Sequence, residues 1–376
     1  MPNIKDTIKI AGAGVAGLTT AINLAKAGYE VVVHEKFPSV GGHYKENPQL
    51  LPNWFIKEDV IEELEKCNIK INWLNKIEEV EIYLPNQKVK IYGRSMPVGY
   101  TVLRGGENSF EKDLARQAEA VGVKIITSSP ADTKSSDFDI IATGFGKPIT
   151  VGYGRVYKGN FNPQKVKVFF GSEYTPSIGY GYFFPHTEST ATVKISRQFN
   201  GESFSLKGSL TKLKEKYLVS EIKEENFLYE FGSLRSFDIP KSAVRGSSLL
   251  VGEAAGFQDE LFRFGMRYAV WSGYFAAESI IKGLNYDELW KEKFMKEFKR
   301  TALTRRVFED FKKRKFKAIG DGSDIYLDIE KFRKLWFSNA VYLLLKAYPL
   351  YKSFVFRPFF IKNGISLLKK TKAIND

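Results

Sequence analysis

Cysteine, histidine and long apolar runs are scarce in this 376-residue chain, and each shortage removes a class of function. A single cysteine, Cys67, excludes internal disulfides and any CxxC redox or zinc motif, so Cys67 is expected to be a buried thiol. Three histidines leave little for a metal site, and no metal is expected. No apolar run reaches the roughly 18 residues that a membrane-spanning helix needs. The first strand begins almost at once, without a basic-plus-apolar leader, which points to a cytoplasmic setting. Repeats, low-complexity tracts and nucleic-acid modules are missing too, so nucleic acid is not an expected partner.

Positive charge is plentiful. Lys and Arg number 57 against 43 Asp and Glu, a net charge of +14 that calls for an anionic partner. Much of the excess lies at 291–317, where Phe294, Phe298, Val307, Phe308 and Phe311 alternate with basic residues at helical spacings. The stretches 335–345 and 348–368 add aromatic and aliphatic bulk punctuated by Lys346, Lys352, Arg357 and Lys362. Two readings fit: an interfacial region peripheral on an anionic membrane surface, or helices that cover the rest of the protein with their lysines in water. A hydrophobic content of 43% suffices for a large core, and the length suggests two domains or one elaborate one.

The most specific motif is Gly12-Ala13-Gly14-Val15-Ala16-Gly17, placed between an apolar strand and the helix 18–26. A β-branched strand over 29–34 follows and ends at Glu35. Gly12 permits the tight turn, Gly14 lets the backbone approach a pyrophosphate, and Gly17 lets the helix pack closely on the sheet. The phosphates would meet the helix N-terminus, and Glu35 would accept from a ribose diol. Lys36 opens a loop whose Gly41-Gly42 pair brings His43 and Tyr44 toward a ligand.

Further along, the patterns predict a helix over 59–67, two short strands within 77–92 around Pro85-Asn86, and a strand 100–104 ending in Arg104. A Ser-capped helix over 109–121 follows, then strands at 123–127 and 137–143, the latter running into Gly144-Phe145-Gly146. With the first unit these predict a mostly parallel sheet. The middle, about 153–234, reads as an antiparallel sheet over which a flat or greasy ligand can lie. A strand at 248–251 then leads through Gly252-Glu253-Ala254-Ala255-Gly256 to a helix over 264–282, which returns the chain to the first domain.

Four of these pieces together resemble the FAD-dependent oxidoreductases of the glutathione-reductase and p-hydroxybenzoate-hydroxylase-like superfamily, and within it the geranylgeranyl reductases, over about residues 7–282. They are the fingerprint with Glu35; Arg104 with Phe110, Glu111, Leu114 and Ala118; Gly179-Tyr180-Gly181-Tyr182-Phe183-Phe184-Pro185, similar to Y-x-W-x-F-P; and Gly252 to Gly256, similar to G-D-A-A-G. The resemblance implies an α/β fold: a Rossmann-like FAD-binding domain from 1–150 and 235–285, an antiparallel-sheet substrate domain at 151–234, and a C-terminal helical region at 286–376. It implies FAD held by Gly12, Gly14, Ala16, Gly17, Glu35, Lys36, Gly42, His43, Arg104, Gly144, Gly252, Glu253, Gly256, Gly265 and Met266. Tyr180, Tyr182, Phe184 and Pro185 would line the substrate slot, and Tyr180, Tyr182, His43 and Arg263 would serve the reaction. His186 is a further proton-donor candidate.

The implied activity is hydride transfer from reduced flavin to a C=C bond of an isoprenoid lipid or another hydrophobic small molecule. NAD(P)H or a reduced carrier protein would supply the electrons. The alternatives are a flavin monooxygenase or halogenase on an aromatic substrate, or a flavin- or lipid-binding protein without turnover. One departure stands out: where the family has a proline and a G-x-G after G-D-A-A-G, this chain has Glu260, Arg263 and only Gly265. Arg263 is read either as a group facing the flavin edge or an anionic substrate, or as a surface partner of Glu260.

Overall fold

The computed structural model describes residues 7–44, 47–84, 87–133, 137–144, 148–170, 179–198, 205–236, 239–313, 324–339, 341–343 and 345–346. The expected turn at Pro85-Asn86, the Phe145-Gly146 pair and the aromatic stretch 348–368 lie outside them. Short β-branched segments build a largely parallel sheet from β1 (Ile8–Ala11), β2 (Val31–His34), β8 (Lys124–Ile126), β9 (Ile140–Ile141), β15 (Val244–Arg245) and β16 (Ser248–Leu250). Their order is β15-β16-β9-β1-β2-β8, with only the β15–β16 pair antiparallel. Within them burial partly alternates: Lys9 of β1 is exposed between buried Ile8 and Ile10, and β2 alternates buried with half-buried residues.

Helix α1 (Val15–Lys26) packs on this sheet and is itself buried from Val15 to Asn23 and Leu24. It crosses α5 (Met266–Lys282) closely, because a side chain at Gly273 would come within 2.4 Å of the Ala16 carbonyl oxygen. Ala16 is spent on this helix crossing. Helix α2 (Val60–Glu65) is capped by Asp59 and α3 (Phe110–Ala120) by Ser109, whose side chains accept from Ile61 N and Lys112 N.

Strand β7 (Gly99–Arg104) does not join the parallel sheet. It pairs antiparallel with β3 (Asn47–Pro52) and β4 (Asn75–Ile77) in a three-stranded sheet of its own, whose partners lie far off in sequence. The middle of the chain forms β10 (Thr150–Lys158), β11 (Lys165–Phe169), β12 (Gly179–Pro185), β13 (Thr190–Gln198) and β14 (Phe227–Arg235), largely antiparallel. Helix α4 (Leu206–Tyr217) packs on β10 and β13. This sheet also recruits β5 (Glu79–Leu84), β6 (Gln87–Tyr92) and β17 (Ile325–Asp328), in the order β14-β10-β13-β12-β11-β5-β6-β17. It therefore draws on residues well outside 151–234, and its β11–β5 and β17–β6 pairs are parallel.

The basic segment is helical as far as Lys313 in α6 (Tyr286–Lys313), and the aromatic rings of its first half turn inward. Trp290, Phe294 and Phe298 are at most 1% exposed. Their rings lie 4.9, 5.6 and 6.0 Å from that of Phe257, and Tyr268 closes the cluster 5.1 Å from Phe294. Phe294 and Phe298 are therefore core and do not face lipid, Val307 is half-buried, and the side chains of Phe308 and Phe311 lie outside the described residues. Arg267 of α5 ties the same layer together, donating to Glu63 on α2 at 2.5 and 2.8 Å and to Glu297 on α6 at 2.9 Å. Helix α7 (Ile329–Phe337) docks through Trp336, 4.6 Å from the Phe55 ring. Among the described residues no helix is long and apolar enough to cross a membrane, and no group of His, Cys, Asp and Glu is placed to hold a metal.

Candidate functional site

The fingerprint turn has the shape a pyrophosphate needs. Gly12 sits at φ +103°, and a Cβ there would lie 2.5 Å from the Ala142 carbonyl oxygen. A Cβ at Gly17 would lie 2.1 Å from the Gly12 carbonyl oxygen, so this glycine seats α1 against β1. A Cβ on Gly14 would meet nothing within 4 Å, so this face of the turn is open. Gly14 is also the N-cap of α1 and brings no side-chain cap, which leaves the first N–H groups available to an anion. Glu35, 8% exposed, is fixed at the end of β2: one carboxylate oxygen accepts from Ala13 N at 2.9 Å and the other from Phe37 N at 3.0 Å. Each oxygen keeps lone-pair capacity for a ribose hydroxyl. Lys36 lies at the exposed rim over the Phe37 ring, and Gly144, at φ +80°, borders open space.

A second surface adjoins this groove. A Cβ on Gly252 would lie 2.9 Å from the Ala16 side chain, and Gly252 N donates to Ser272 Oγ at 2.9 Å, so the Gly252 to Gly256 turn rests on α1 and α5. Gly256, at φ +83°, ends that turn. Glu253 accepts from Gln258 at 2.7 Å. Arg104, at the end of β7, donates to Glu111 and, at 3.1 Å, to Gln49, and its guanidinium lies 4.7 Å from the centre of the Tyr44 ring. Burial opposes the Arg104 charge, but Glu111, Tyr44 and Glu253 more than offset it and hold the guanidinium fully protonated. Gly42 and His43 are exposed beside this group, and the His43 ring stacks on Phe37 and lies tilted against Tyr44.

The cavity proper lies between β3, the inner face of the eight-stranded sheet and the loop before α5. Tyr180, Tyr182 and Phe184 alternate along β12 and all three face it, joined by Trp54, Phe262, Phe264, Arg263, Gly265 and Met266. Its free interior is about 130 Å³. Small-molecule clefts commonly offer about 300–1,000 Å³, so a ligand of any size must displace lining side chains or reach in from the open side. Pro185 does not line the cavity: the two-residue period of a strand turns it to the opposite face from Phe184. His43 does not line it either.

Asp259 builds the loop wall, and no motif in the sequence singles it out. It is fully buried, and its carboxylate accepts from Leu261 N at 3.0 Å, Phe262 N at 2.7 Å and Phe264 N at 2.5 Å. Burial nevertheless pushes its carboxyl up to about 6. Wrapped around Asp259, Arg263 adopts φ +65°, the left-handed region that glycine takes freely and that costs other residues about 1–2 kcal/mol. Tyr180 ties this loop to the sheet by donating its hydroxyl to the Phe262 carbonyl at 2.9 Å. Gly265 then starts α5 without a side-chain cap, so a second helix N-terminus faces the same region.

His186 falls in a separate cleft of about 320 Å³ with Trp73, Leu103, Val156 and Tyr229, so it is no proton donor for the tyrosine-lined cavity. Its ring nitrogens pair with Thr192 at 3.0 Å and Thr190 at 3.3 Å, and burial holds the imidazole down at about 4. Between that value and an ordinary 6.5 the unfolded chain binds the extra proton, so this group's contribution to stability is complete above pH 6.5 and is lost as pH falls toward 4. His186→Gln is expected to flatten the acid limb of the unfolding free energy, read from urea titrations between pH 6.5 and 4, by about 3 kcal/mol. An unchanged limb would rule out a neutral buried imidazole.

A family model described as an NAD(P)-binding Rossmann-like domain matches residues 10–61. Superposed on the geranylgeranyl bacteriochlorophyll reductase-like protein from Thermoplasma acidophilum, the structure gives a TM-score of 0.69 at 21% identity, covering 96% of this chain and 99% of the other. The two chains share one fold. A 2-methyl-3-hydroxypyridine-5-carboxylic acid oxygenase shares it at a TM-score of 0.55 and 17% identity, over 82% of this chain and 91% of that one. In sequence, an iron-sulfur subunit of the CoB–CoM heterodisulfide reductase of Methanopyrus kandleri is 30% identical over 94 residues, 24% of this chain. That match spans only 14% of the relative's length. The open Gly14 face, Glu35 and the uncapped α1 N-terminus fit the ADP end of a dinucleotide, in keeping with the Rossmann-like model over these residues.

Proposed function

We propose that the chain is an FAD-dependent reductase that hydrogenates C=C bonds of an isoprenoid-type lipid. The observation that carries this reading is the aromatic cavity on the inner sheet face, closed by Met266 and Gly265 at the uncapped start of α5 and adjoining the dinucleotide groove. When bound, FAD supplies the hydride. The protein does the rest. The α1 N-terminus and Glu35 bind the ADP half, the α5 dipole favours negative charge at the reacting end, and the rings of Tyr182, Phe184 and Trp54 hold the alkene and exclude water. Tyr180 donates its hydroxyl to Phe262 and positions the loop; Tyr182, whose ring lines the cavity, is the phenol we assign to deliver the proton. Electrons reach the site from NAD(P)H or a reduced carrier protein.

The purified protein is expected to be yellow and to release FAD on denaturation. After anaerobic reduction with dithionite, an added unsaturated isoprenoid should reoxidise the flavin and gain hydrogens, read by absorbance and mass spectrometry. Reoxidation by oxygen alone, with a hydroxylated product, would instead assign the chain to the monooxygenases that share the fold. A protein that cannot be loaded with FAD would end the proposal.

A further inference from the structure

The cleft that holds His186 is a second cavity, distinct from the aromatic one, and the two share no lining residue. Both nevertheless open on one face of the eight-stranded sheet: Thr150 of β10 and Lys194 of β13 line the cavity, and Val156 and Thr190, an even number of residues along the same strands, line the cleft. The row between them is closed. There the Phe231 ring fills the place of a side chain on Gly154, 2.5 Å from where its Cβ would be. On the opposite wall Leu103 faces the cleft from β7, and alternation turns Arg104 to the other face of that strand.

The mouth of this cleft gathers apolar surface. Trp73, Leu74 and Leu228 are 39, 43 and 38% exposed, and all three line it, although Leu228 comes from β14 and the others from the loop before β4. Exposed apolar side chains scattered singly need no explanation, but a convergent group around a concavity marks a binding surface. The Trp73 ring is braced by that of Tyr100, 5.3 Å away. The free interior, about 320 Å³, falls within the range of small-molecule clefts, about 300–1,000 Å³.

Charge is missing from the lining. Among the described residues only amides, hydroxyls and one imidazole supply side-chain polar atoms there, and Lys76, 5.8 Å from the Trp73 ring centre, stays outside it. Several of these groups are already paired: His186 with Thr192 and Thr190, and Thr187 with Thr190 at 2.7 Å. Asn72 and Asn108 are different. Their side chains are exposed and make no hydrogen bond among the described residues, so two amide groups at the rim remain available to a ligand. An ion entering here would lose water without meeting an opposite charge, and a hydrocarbon would cover the amides without pairing them.

We infer that this cleft is a second binding site, for an uncharged one- or two-ring aromatic molecule that stacks on Trp73 and offers a hydroxyl or carbonyl oxygen to Asn72 and Asn108. The site stands apart from the reductase reading, since neither the aromatic cavity nor the dinucleotide groove enters it.

The test is equilibrium dialysis of the full-length protein against 2-naphthol, 2-naphthoate and naphthalene, probes that share one ring system. The naphthol is expected to bind about tenfold tighter than either of the others, and salt should not change its affinity. Trp73→Ala removes the platform, and Asn72→Leu combined with Asn108→Leu removes both amides at similar volume. All three positions are exposed, so urea midpoints should barely move. Trp73→Ala should weaken naphthol binding about tenfold. The paired leucines should do the same and erase the preference over naphthalene. Naphthoate binding as tightly as naphthol would overturn the inference, and so would a naphthol affinity unchanged in both variants. Failure of all three probes to bind would overturn it too, and would leave Trp73, Leu74 and Leu228 to a protein surface.

Discussion

Gly14→Val is expected to leave the apoprotein standing and to abolish flavin binding, whereas Gly17→Val is expected to damage the fold itself. The two glycines are three residues apart in one turn, but their surroundings differ. A side chain at Gly14 would meet no atom within 4 Å, and the residue has φ −83°, ordinary extended backbone. Its stability change should stay within about 1 kcal/mol, the scale of a poorer N-cap. The same valine would occupy the space in which a pyrophosphate approaches the α1 N-terminus, and the affinity for FAD should fall at least about 100-fold, or about 2.7 kcal/mol. At Gly17 the new Cβ would lie 2.1 Å from a backbone oxygen and 3.1 Å from the Ala142 side chain, so α1 must lift from β1. That repacking should cost about 3 kcal/mol or more. Urea midpoints and retained flavin absorbance separate the two. If Gly14→Val keeps its flavin, the phosphates do not lie against this turn.

What could be read from the residues alone was local. The strand, turn and helix from Ile8 to Lys26 announce themselves because the glycines, the apolar run and the helix lie within one continuous stretch. The sheet that β7 joins is not legible in the same way, since its partners β3 and β4 are chosen by non-local pairing rather than by anything in Gly99–Arg104. Trp290, Phe294 and Phe298 show why a basic amphipathic helix is ambiguous: the i, i+4, i+8 stripe is the same whether lipid or protein covers it, and Phe257 and Tyr268 decide the matter from other elements. Pro185 is a different case, because strict alternation already assigns it to the face opposite Tyr180, Tyr182 and Phe184. Lys194 could have been suspected from an inward-facing charge within Ala191–Ile195, opposite the Gly152-x-Gly154 spacing. The left-handed backbone of Arg263 carries no signal in its own identity.

The keystone of that loop gives the second large effect, and its pH dependence has an unexpected sign. Asp259→Ala leaves one buried and two half-buried N–H groups, of Leu261, Phe262 and Phe264, without their acceptor, so at pH 7 the protein should lose about 2–4 kcal/mol of stability. It should also lose ligand affinity in the aromatic cavity, because Phe262 and Phe264 of its lining are held by this carboxylate. Burial holds the folded Asp259 at about 6, above the ordinary 3.8 of the unfolded chain. Between those values the native state binds the extra proton, so its stability falls as pH rises through the window, and the penalty of a buried charge is complete only above about pH 6. The gap between wild type and Asp259→Ala should therefore widen on acidification from pH 7 to 4, by up to roughly 3 kcal/mol. His186 pulls the other way over much of the same range, but it does so in both proteins and cancels in the difference. Paired urea titrations across this range measure that difference directly. A gap that narrows with acid would mean that the three backbone donors outweigh burial and that Asp259 is held as a carboxylate throughout.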